Sequence, residues 1–516
     1  MDFFQSTEFD DQVKRLMDDL HVPGFSAAML HGDKTASKAY GVISVASGAP
    51  CTADSLFDIA SAAKVLTALS VALLVEDEGA VTYDTPVAEL LPGDFVLSDP
   101  EYTKNVTVDD ILSHRTGQPS HDQSYFGVNA ERPDDALSVT RNLRNLQLCA
   151  PLRSRYIYNN IMYTVASRLV EAHGDRSSFA DFLEDRIFAR LGMTSSSLQP
   201  SRGRARGHGE RLSSGHVWDA AGGRHREFAA LECPEGQGAG SVITTAGDYL
   251  KLVAALLSPG EERDGDPSVI SKKVYAGLTR IRSVPNPTPG GAQPLSSPRF
   301  YCAGLMVEYY RGHAIFGHNG GVPGFGSRFL FVPSLRLGAV LLGNALEAAA
   351  AAVHLQKALL DSILGPVGDA GGGQEQQPTA ADPEQEQEAK MRAEEPQQMP
   401  LTAYAGHYWN PGYRGLHVQA RDGDDGDGAQ LFIDARDRSF ACTLTLRHVA
   451  GQTSYLAYAT AADSVGGMPV DDEEPLRAEF LFDNDRAVKF GLLLDPDLDL
   501  IWFDRVHAEA TPYVFV

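Results

Sequence analysis

The run Ser55-Leu56-Phe57-Asp58-Ile59-Ala60-Ser61-Ala62-Ala63-Lys64-Val65-Leu66-Thr67-Ala68-Leu69 constrains this chain more than any other. After Ala60 it turns rich in alanine and leucine. Val65, Leu66, Leu69, Leu73 and Leu74 recur at helical spacing and Gly79 follows the last of them, so a helix is expected to begin here. Ser61 and Lys64 stand three apart. On a helix that spacing stacks two side chains on one face, about 5–6 Å apart at Cβ, and brings an ammonium within reach of a hydroxyl. A serine hydroxyl is too weakly acidic to attack a carbonyl unaided, and an adjacent basic nitrogen is one of the few ways to activate it. The bland alternative is a packed helix with one solvated lysine. Against it, no other lysine in the chain has a serine three residues before it.

Composition narrows what such a site can serve. At 516 residues the chain is long enough for two or three domains, and 43% hydrophobic with 22% charged residues is ordinary for a globular protein. A net charge of −24 and a pI near 5.0 argue against a nucleic-acid partner, which needs clustered lysine and arginine. Cys51, Cys149, Cys233, Cys302 and Cys442 are scattered, odd in number and without metal-ligand spacing. Neither a disulfide framework nor a metal site is expected, and reduced thiols fit best. The first ten residues lack a basic, then apolar, leader pattern, and no run approaches the roughly 18 apolar residues of a membrane span. With Met1 as the start, a cytoplasmic protein without membrane contact is expected.

Along the chain, Phe9 to Leu20 reads as an amphipathic helix, followed by strands at Phe25 to Leu30 and Ala39 to Ile43. From Val81 to Leu257 the signals are mostly helical. Val106 to Gly117 carries a threonine cap and a glycine stop, and Asn160 to His173 and Phe179 to Leu191 are apolar helices. Tyr156-Ile157-Tyr158-Asn159-Asn160 reads as a loop just before a helix, a place that can present side chains to a cleft. Ser201 to Phe228, with Arg202, Arg204, Arg206 and Arg211, reads as a solvated excursion rather than an anion-binding loop, and Ser283 to Pro298 as an irregular loop or lid.

Strand patterns return at Tyr301 to Tyr310, His313 to Phe316, Ser327 to Val332 and Leu337 to Leu342, with Gly317 to Phe325 lying between strands. An Ala/Leu helix at Ala348 to Leu364 can cover that sheet. The organisation expected is therefore a first domain over residues 1–365, a flexible acidic Gln/Pro linker over 366–400 and a small β domain over 401–516. Six alternating runs between Gln430 and Arg505 suggest a meander or small barrel. Asp422 to Gly428 looks superficially like a calcium loop, but it lacks the closing glutamate and reads as a solvated turn.

A lysine-assisted serine needs a second proton carrier and donors for the developing oxyanion. Tyr158-x-Asn160 supplies a phenol and an amide, while His318-x-Gly320-Gly321 supplies an imidazole and backbone N–H groups. In this order Ser-x-x-Lys, Tyr-x-Asn and His-x-Gly resemble the serine β-lactamase and penicillin-binding-protein superfamily, in its class C-like branch with esterases, D-aminopeptidases and lovastatin-type acyltransferases. Val106 to Gly117, Arg190 to Thr194 and Gly238 to Thr245 support the resemblance, which covers roughly residues 10 to 365.

The resemblance implies an α/β (α+β) fold, an antiparallel sheet flanked by helices with an inserted helical subdomain. Leu401 to Tyr408 looks like the opening of an appended lipocalin-like β-barrel domain. It also implies Ser61, Lys64 and Tyr158 as catalytic residues, with Asn160, His318, Gly320 and Gly321 in substrate and oxyanion binding, and no cofactor. Tyr408-Trp409-Asn410 repeats the Tyr-x-Asn pattern, and Lys489-Phe490-Gly491 matches Lys-x-Gly; both are read as chance. His318-Asn319-Gly320 replaces the Lys-Thr-Gly that holds a β-lactam carboxylate. Hydrolysis of a small-molecule or peptide ester or amide through a Ser61 acyl-enzyme is therefore expected. Acyl transfer on the same architecture and an idle scaffold are the competing functions, and self-association stays open.

Overall fold

The computed structural model describes residues 1–77, 79–262, 267–285, 295–365, 397–422, 429–461 and 475–507. The chain forms two compact units: Met1–Ser120 with Asp134–Pro366, and His121–Pro133 with Val367–Val516.

The first unit is built on an antiparallel sheet of seven strands. In spatial order these are Lys34–Gly41, Gly24–His31, Leu337–Gly343, Phe325–Val332, His313–Val322, Met306–Tyr310 and Phe300–Tyr301. Sequence-distant strands meet at its centre, where Phe25 opposes Gly343 and His31 opposes Leu337. The central strands are buried on both faces, which is why Phe329-Leu330-Phe331-Val332 is an unbroken apolar run. Leu330 and Val332 join Phe9, Val13, Leu355 and Leu359 beneath the helices Thr7–Asp19 and Ala348–Leu364. Phe329 faces the other way and meets Tyr249 of the helix Ala246–Leu257 edge-on, with ring centroids 5.2 Å apart.

On that second face lies the helix Lys64–Glu76, packed against Ile161–His173 and Lys272–Thr279. Every residue from Lys64 to Leu74 is buried. A helix apolar all round must be enclosed, and this one anchors the helical insertion to the sheet.

Several sequence expectations are corrected. The second strand begins at Lys34 rather than Ala39, and Phe179–Leu191 is broken by a wider π-type turn at Leu183–Phe188. The segment after Gly317 is not a loop, because the strand runs unbroken from His313 to Val322. Its glycines follow from crowding: a Cβ on Gly317 would collide with the carbonyl of Phe329, and one on Gly320 with the carbonyl of Ile59. The 201–211 stretch is largely exposed, as expected, and its arginines are held by partners at that surface. Arg202 pairs with Asp181 and Glu184, Arg204 with Glu232, and Arg206 donates to the carbonyls of Thr194 and Ser196. Residues 286–294 of the irregular loop, and 423–428 of the calcium-like turn, lie outside the described residues.

The second unit is a closed antiparallel barrel of eight strands: Gly406–Asn410, Arg414–Asp422, Ala429–Ala435, Cys442–Ala450, Ser454–Ala461, Leu476–Asp483, Arg486–Leu492 and Ile501–Val506. It closes where His407 opposes Val506. The first two strands were absent from the sequence expectation. Tyr408, Val418, Ile433, Leu444, Phe480, Phe490 and Phe503 are buried within the unit. The 121–133 segment belongs to the same unit. His121 donates its backbone N–H to Asp495 at 2.9 Å, and the Arg438 guanidinium lies 4.0 Å from the Phe126 ring centre.

Candidate active site

Ser61 sits in a single 3₁₀ turn, Ala60–Ala63, that leads into the helix beginning at Lys64. The turn is held from two sides. The Ile59 N–H donates to the Val242 carbonyl at 3.0 Å, and the Ile59 carbonyl accepts from the Ser327 hydroxyl at 2.7 Å. Ala60 then takes a left-handed backbone with φ +48, and its N–H donates to Asp58 Oδ1 at 2.7 Å. A non-glycine residue in this region costs on the order of 1–3 kcal/mol and persists where its surroundings dictate it. Here the short bond to Asp58 and the two on Ile59 dictate it, and they present Ser61 half-exposed at the start of the helix.

Lys64 is fully buried, and its ammonium has three acceptors within the first unit. It donates to Ser61 Oγ at 2.9 Å, Asn160 Oδ1 at 2.8 Å and the Ala239 carbonyl at 3.0 Å. Burying a charge is tolerable only with such charge-assisted bonds. The Tyr158 and Tyr163 ring centres lie 4.9 and 5.4 Å from Nζ. Tyr158, half-exposed in the loop before the helix Ile161–His173, donates its hydroxyl to Ser61 Oγ at 2.8 Å. Ser61 Oγ thus lies between an ammonium and a phenol.

The third motif departs from the sequence expectation. His318 is buried on the strand. Its Nδ1–H donates to the Asn319 carbonyl at 2.6 Å, and its Nε2 accepts from the buried Tyr301 hydroxyl at 3.2 Å. Burial, helped by the nearby Lys64 charge, pushes its pKa down to about 3, so this imidazole is neutral at ordinary pH. Asn319 points to the other face of the sheet, toward Arg328, which also donates to Gln356 of the outer helix. Gly320 is buried and Gly321 exposed. Pairing of this strand with Met306–Tyr310 stops at Gly317, leaving His318 to Val322 without a strand on that edge among the described residues.

The structure therefore gathers Ser61, Lys64, Tyr158 and Asn160 into one hydrogen-bonded group, with His318 beside Tyr158 at a ring-centroid distance of 6.5 Å. Four contributors were not singled out from the sequence: Asp58, His114, the Ala239 carbonyl and Tyr301. His114 and Ala239 fall in stretches that carried the family resemblance, but nothing local gave them a role. Asp58 is buried without a cation, and burial pushes its carboxyl up to about 7.

Among the described residues no group of histidine, cysteine and carboxylate side chains has the makings of a metal site, and no helix is long and apolar enough to cross a membrane. What the cluster can do chemically is deprotonate a serine and hold charge near it.

Comparison with known proteins agrees with this chemistry. Residues 9–362 match the Beta-lactamase family, and residues 390–505 match a domain of unknown function, DUF3471. The chain is 30% identical over 515 residues to an unguisins hydrolase of Aspergillus campestris, covering 96% of this chain and 91% of the relative. It is 32% identical over 481 residues to an unguisins hydrolase of Aspergillus violaceofuscus, covering 86% and 81% respectively. Among solved structures, an octameric penicillin-binding protein homologue from Pyrococcus abyssi shares the fold with a TM-score of 0.58 at 19% identity, over 96% of this chain and 99% of the other. The chain belongs to the Beta-lactamase family and is an enzyme of its serine hydrolase type.

Proposed function

We propose that this enzyme hydrolyses an ester or amide of a small molecule or peptide with Ser61 as nucleophile and Tyr158 as the proton carrier. The observation that carries the reading is Ser61 Oγ lying 2.9 Å from Lys64 Nζ and 2.8 Å from the Tyr158 hydroxyl. All three hydrogens of a Lys64 ammonium are matched by acceptors, so Lys64 fits a fixed positive charge better than a base. That charge favours a phenolate at Tyr158 once its proton has left.

With the Tyr158 proton first given to solvent, the Ser61 proton passes to the phenolate oxygen as Ser61 Oγ bonds to the substrate carbonyl carbon. The backbone N–H groups of Ser61 and Gly321 receive the oxyanion, at a helix start whose dipole favours negative charge. Collapse of the adduct breaks the bond to the leaving group, which takes the proton from Tyr158. Water then attacks the acyl-enzyme and gives a proton to Tyr158, which returns it to Ser61 Oγ as the acyl bond breaks, releasing the acid and restoring Ser61 and the Tyr158 phenolate.

Asn160 orients Lys64, and neutral His318 with Gly320 shapes the wall opposite. All these groups come from the first 365 residues, which supports placing the whole reaction there and leaving the barrel outside it.

A fluorophosphonate probe should label the wild type at Ser61, and Ser61→Ala should lose labelling and turnover by 10⁴-fold or more, on the order found when such nucleophiles are removed. Unchanged turnover in Ser61→Ala would end the reading. The unguisins named for the two Aspergillus relatives are the first substrates to assay. Intact mass after incubation would give the acyl group directly.

A further inference from the structure

The proposed reaction leaves a buried imidazole beside Tyr158 unused. His114 follows the short helix Val108–Leu112, is fully buried, and has a left-handed backbone with φ +60. Both sequence neighbours of Tyr158 hang on it. The Ile157 N–H donates to the His114 carbonyl at 2.9 Å, and the Asn159 N–H donates to His114 Nδ1 at 3.0 Å. Between these two bonds the imidazole lies against the phenol of Tyr158, with ring centroids 4.4 Å apart. Tyr301, Tyr156 and Tyr163 surround it with centroids at 4.7, 5.3 and 5.3 Å.

Space-filling does not explain this residue. Because Nδ1 accepts, the hydrogen sits on Nε2, and Nε2 is buried without a hydrogen-bond partner among the described residues. An unmet buried donor is destabilising, and leucine or phenylalanine would avoid that cost. What the imidazole supplies, and those residues cannot, is the acceptor for Asn159. Asn159 in turn starts the next helix, its Oδ1 accepting from the Met162 N–H at 2.9 Å and its amide donating to the Gln118 and Pro119 carbonyls.

We propose that His114 is the positioning residue of Tyr158, a clamp on both flanks of the tyrosine that sets its hydroxyl at Ser61. The inference rests on the Ser61 reading. It assigns His114 no proton transfer, only the placement of the group that makes one. A misplacement of about 1 Å at such a group can cost on the order of 10²-fold in rate.

The test is a double-mutant cycle on the full chain, read with a p-nitrophenyl ester and a fluorophosphonate. His114→Phe keeps a ring and removes the acceptor; kcat should fall on the order of 10²-fold with KM within about threefold. Tyr158→Phe should fall by a similar or larger factor. The double variant should be no more than about threefold worse than Tyr158→Phe alone, because the clamp then has nothing to place. His114→Asn restores an acceptor in a residue that accepts the left-handed region, and should recover to within about tenfold of wild type.

A loss in the double variant equal to the product of the single losses would overturn the inference, as would a wild-type rate in folded His114→Phe. If circular dichroism shows that His114→Phe does not fold, His114→Asn decides. A rate within tenfold supports the clamp, and a larger loss that persists in the Tyr158→Phe background overturns it. Absence of Ser61 labelling in the wild type would instead overturn the Ser61 reading, and this inference with it.

Discussion

Tyr-x-Asn occurs twice in the described residues with opposite consequences. In the first unit Tyr158 and Asn160 lie in a loop ahead of a helix, the phenol on Ser61 Oγ and the amide oxygen accepting from Lys64. In the second, Tyr408 and Asn410 lie on the first barrel strand. Tyr408 is fully buried and donates to the Tyr404 carbonyl at 2.5 Å, while Asn410 Oδ1 accepts the N–H groups of Gly412 and Tyr413 and makes a turn. A strand sends alternate residues to one face, so Tyr408 goes into the barrel core and meets Phe480 and Phe490. A loop fixed at its flanks leaves Tyr158 half-exposed. The same letters place a phenol on Ser61 or in a barrel core according to the backbone that holds them.

The largest effect expected from breaking this comparison is at the two tyrosines. Tyr158→Phe should lower kcat by about 10²–10⁴-fold, the usual worth of a positioned proton carrier, with little change in melting temperature. Tyr408→Phe should do the reverse, losing on the order of 1 kcal/mol of barrel stability through one hydrogen bond and leaving ester turnover within twofold. Calorimetry and steady-state kinetics on both variants check the pair, and equal effects on activity would dissolve the distinction.

Glycines in the two units differ in the same way, with a smaller expected effect. A Cβ on Gly320 would strike the Ile59 carbonyl and the Ser327 hydroxyl, the contact that suspends the turn carrying Ser61. A Cβ on Gly415 would find only ordinary contact with Trp409 at 3.8 Å. Gly320→Ala should therefore cost turnover on the order of 10-fold or more together with about 1–3 kcal/mol of stability, as overpacking does. Gly415→Ala should be neutral to within about 0.5 kcal/mol. Urea melts and ester turnover on the two variants test this.

These positions also show what a sequence can reveal. Ser61 and Lys64 are legible because their coupling is local, three residues along one turn. The helix Ala348–Leu364 and the double-faced strand Phe325–Val332 are legible because one dominant force, burial, writes their pattern. The family assignment needs several motifs in order, and those are present. The glycine-rich strand His313–Val322 misleads, since glycines chosen for close approach look like glycines chosen for turning. The first two barrel strands are hidden by Gly406, Asn410 and Gly415, which read as punctuation. His114 was invisible as a clamp because its partners lie more than 40 residues downstream and are backbone groups, which carry no sequence signature. Arg202 and Arg204 found acids in Asp181, Glu184 and Glu232, and only the fold brings those close.

Two buried groups near the first motif titrate in opposite senses. Asp58 has a folded pKa raised to about 7 from 3.8, so the stability present below pH 3.8 is lost as pH rises toward 7. His318 has a folded pKa lowered to about 3 from 6.5, so its stability is present above pH 6.5 and lost as pH falls toward 3. Relative to wild type, Asp58→Asn should gain stability as pH rises from 4 to 7, and His318→Gln should gain as pH falls from 7 to 4. The Tyr408 phenol is raised to about 12 by burial, so Tyr408→Phe should show a flat difference from pH 4 to 8. Urea midpoints at four pH values give all three slopes. Parallel slopes for Asp58→Asn and His318→Gln would contradict the assignment.

The smallest effect is expected at Asn410, and it tests whether the second motif has any chemistry at all. Its side-chain oxygen accepts from Gly412 at 2.8 Å and Tyr413 at 3.0 Å, and its amide donates to the Trp502 carbonyl at 2.9 Å. Asn410 is half-buried, so part of what these bonds contribute can be replaced by water when they are lost. Asn410→Ala should then cost about 1 kcal/mol, the net worth of a typical intramolecular hydrogen bond rather than the sum of three. Asn410→Asp keeps the acceptor for the two N–H groups and loses only the donor to Trp502, so it should cost less than the alanine change. Neither variant should move kcat or KM for a small ester by more than about twofold. A drop in kcat with unchanged melting would mean that the barrel motif takes part in turnover, and that Tyr-x-Asn in this chain is read by chemistry in both places.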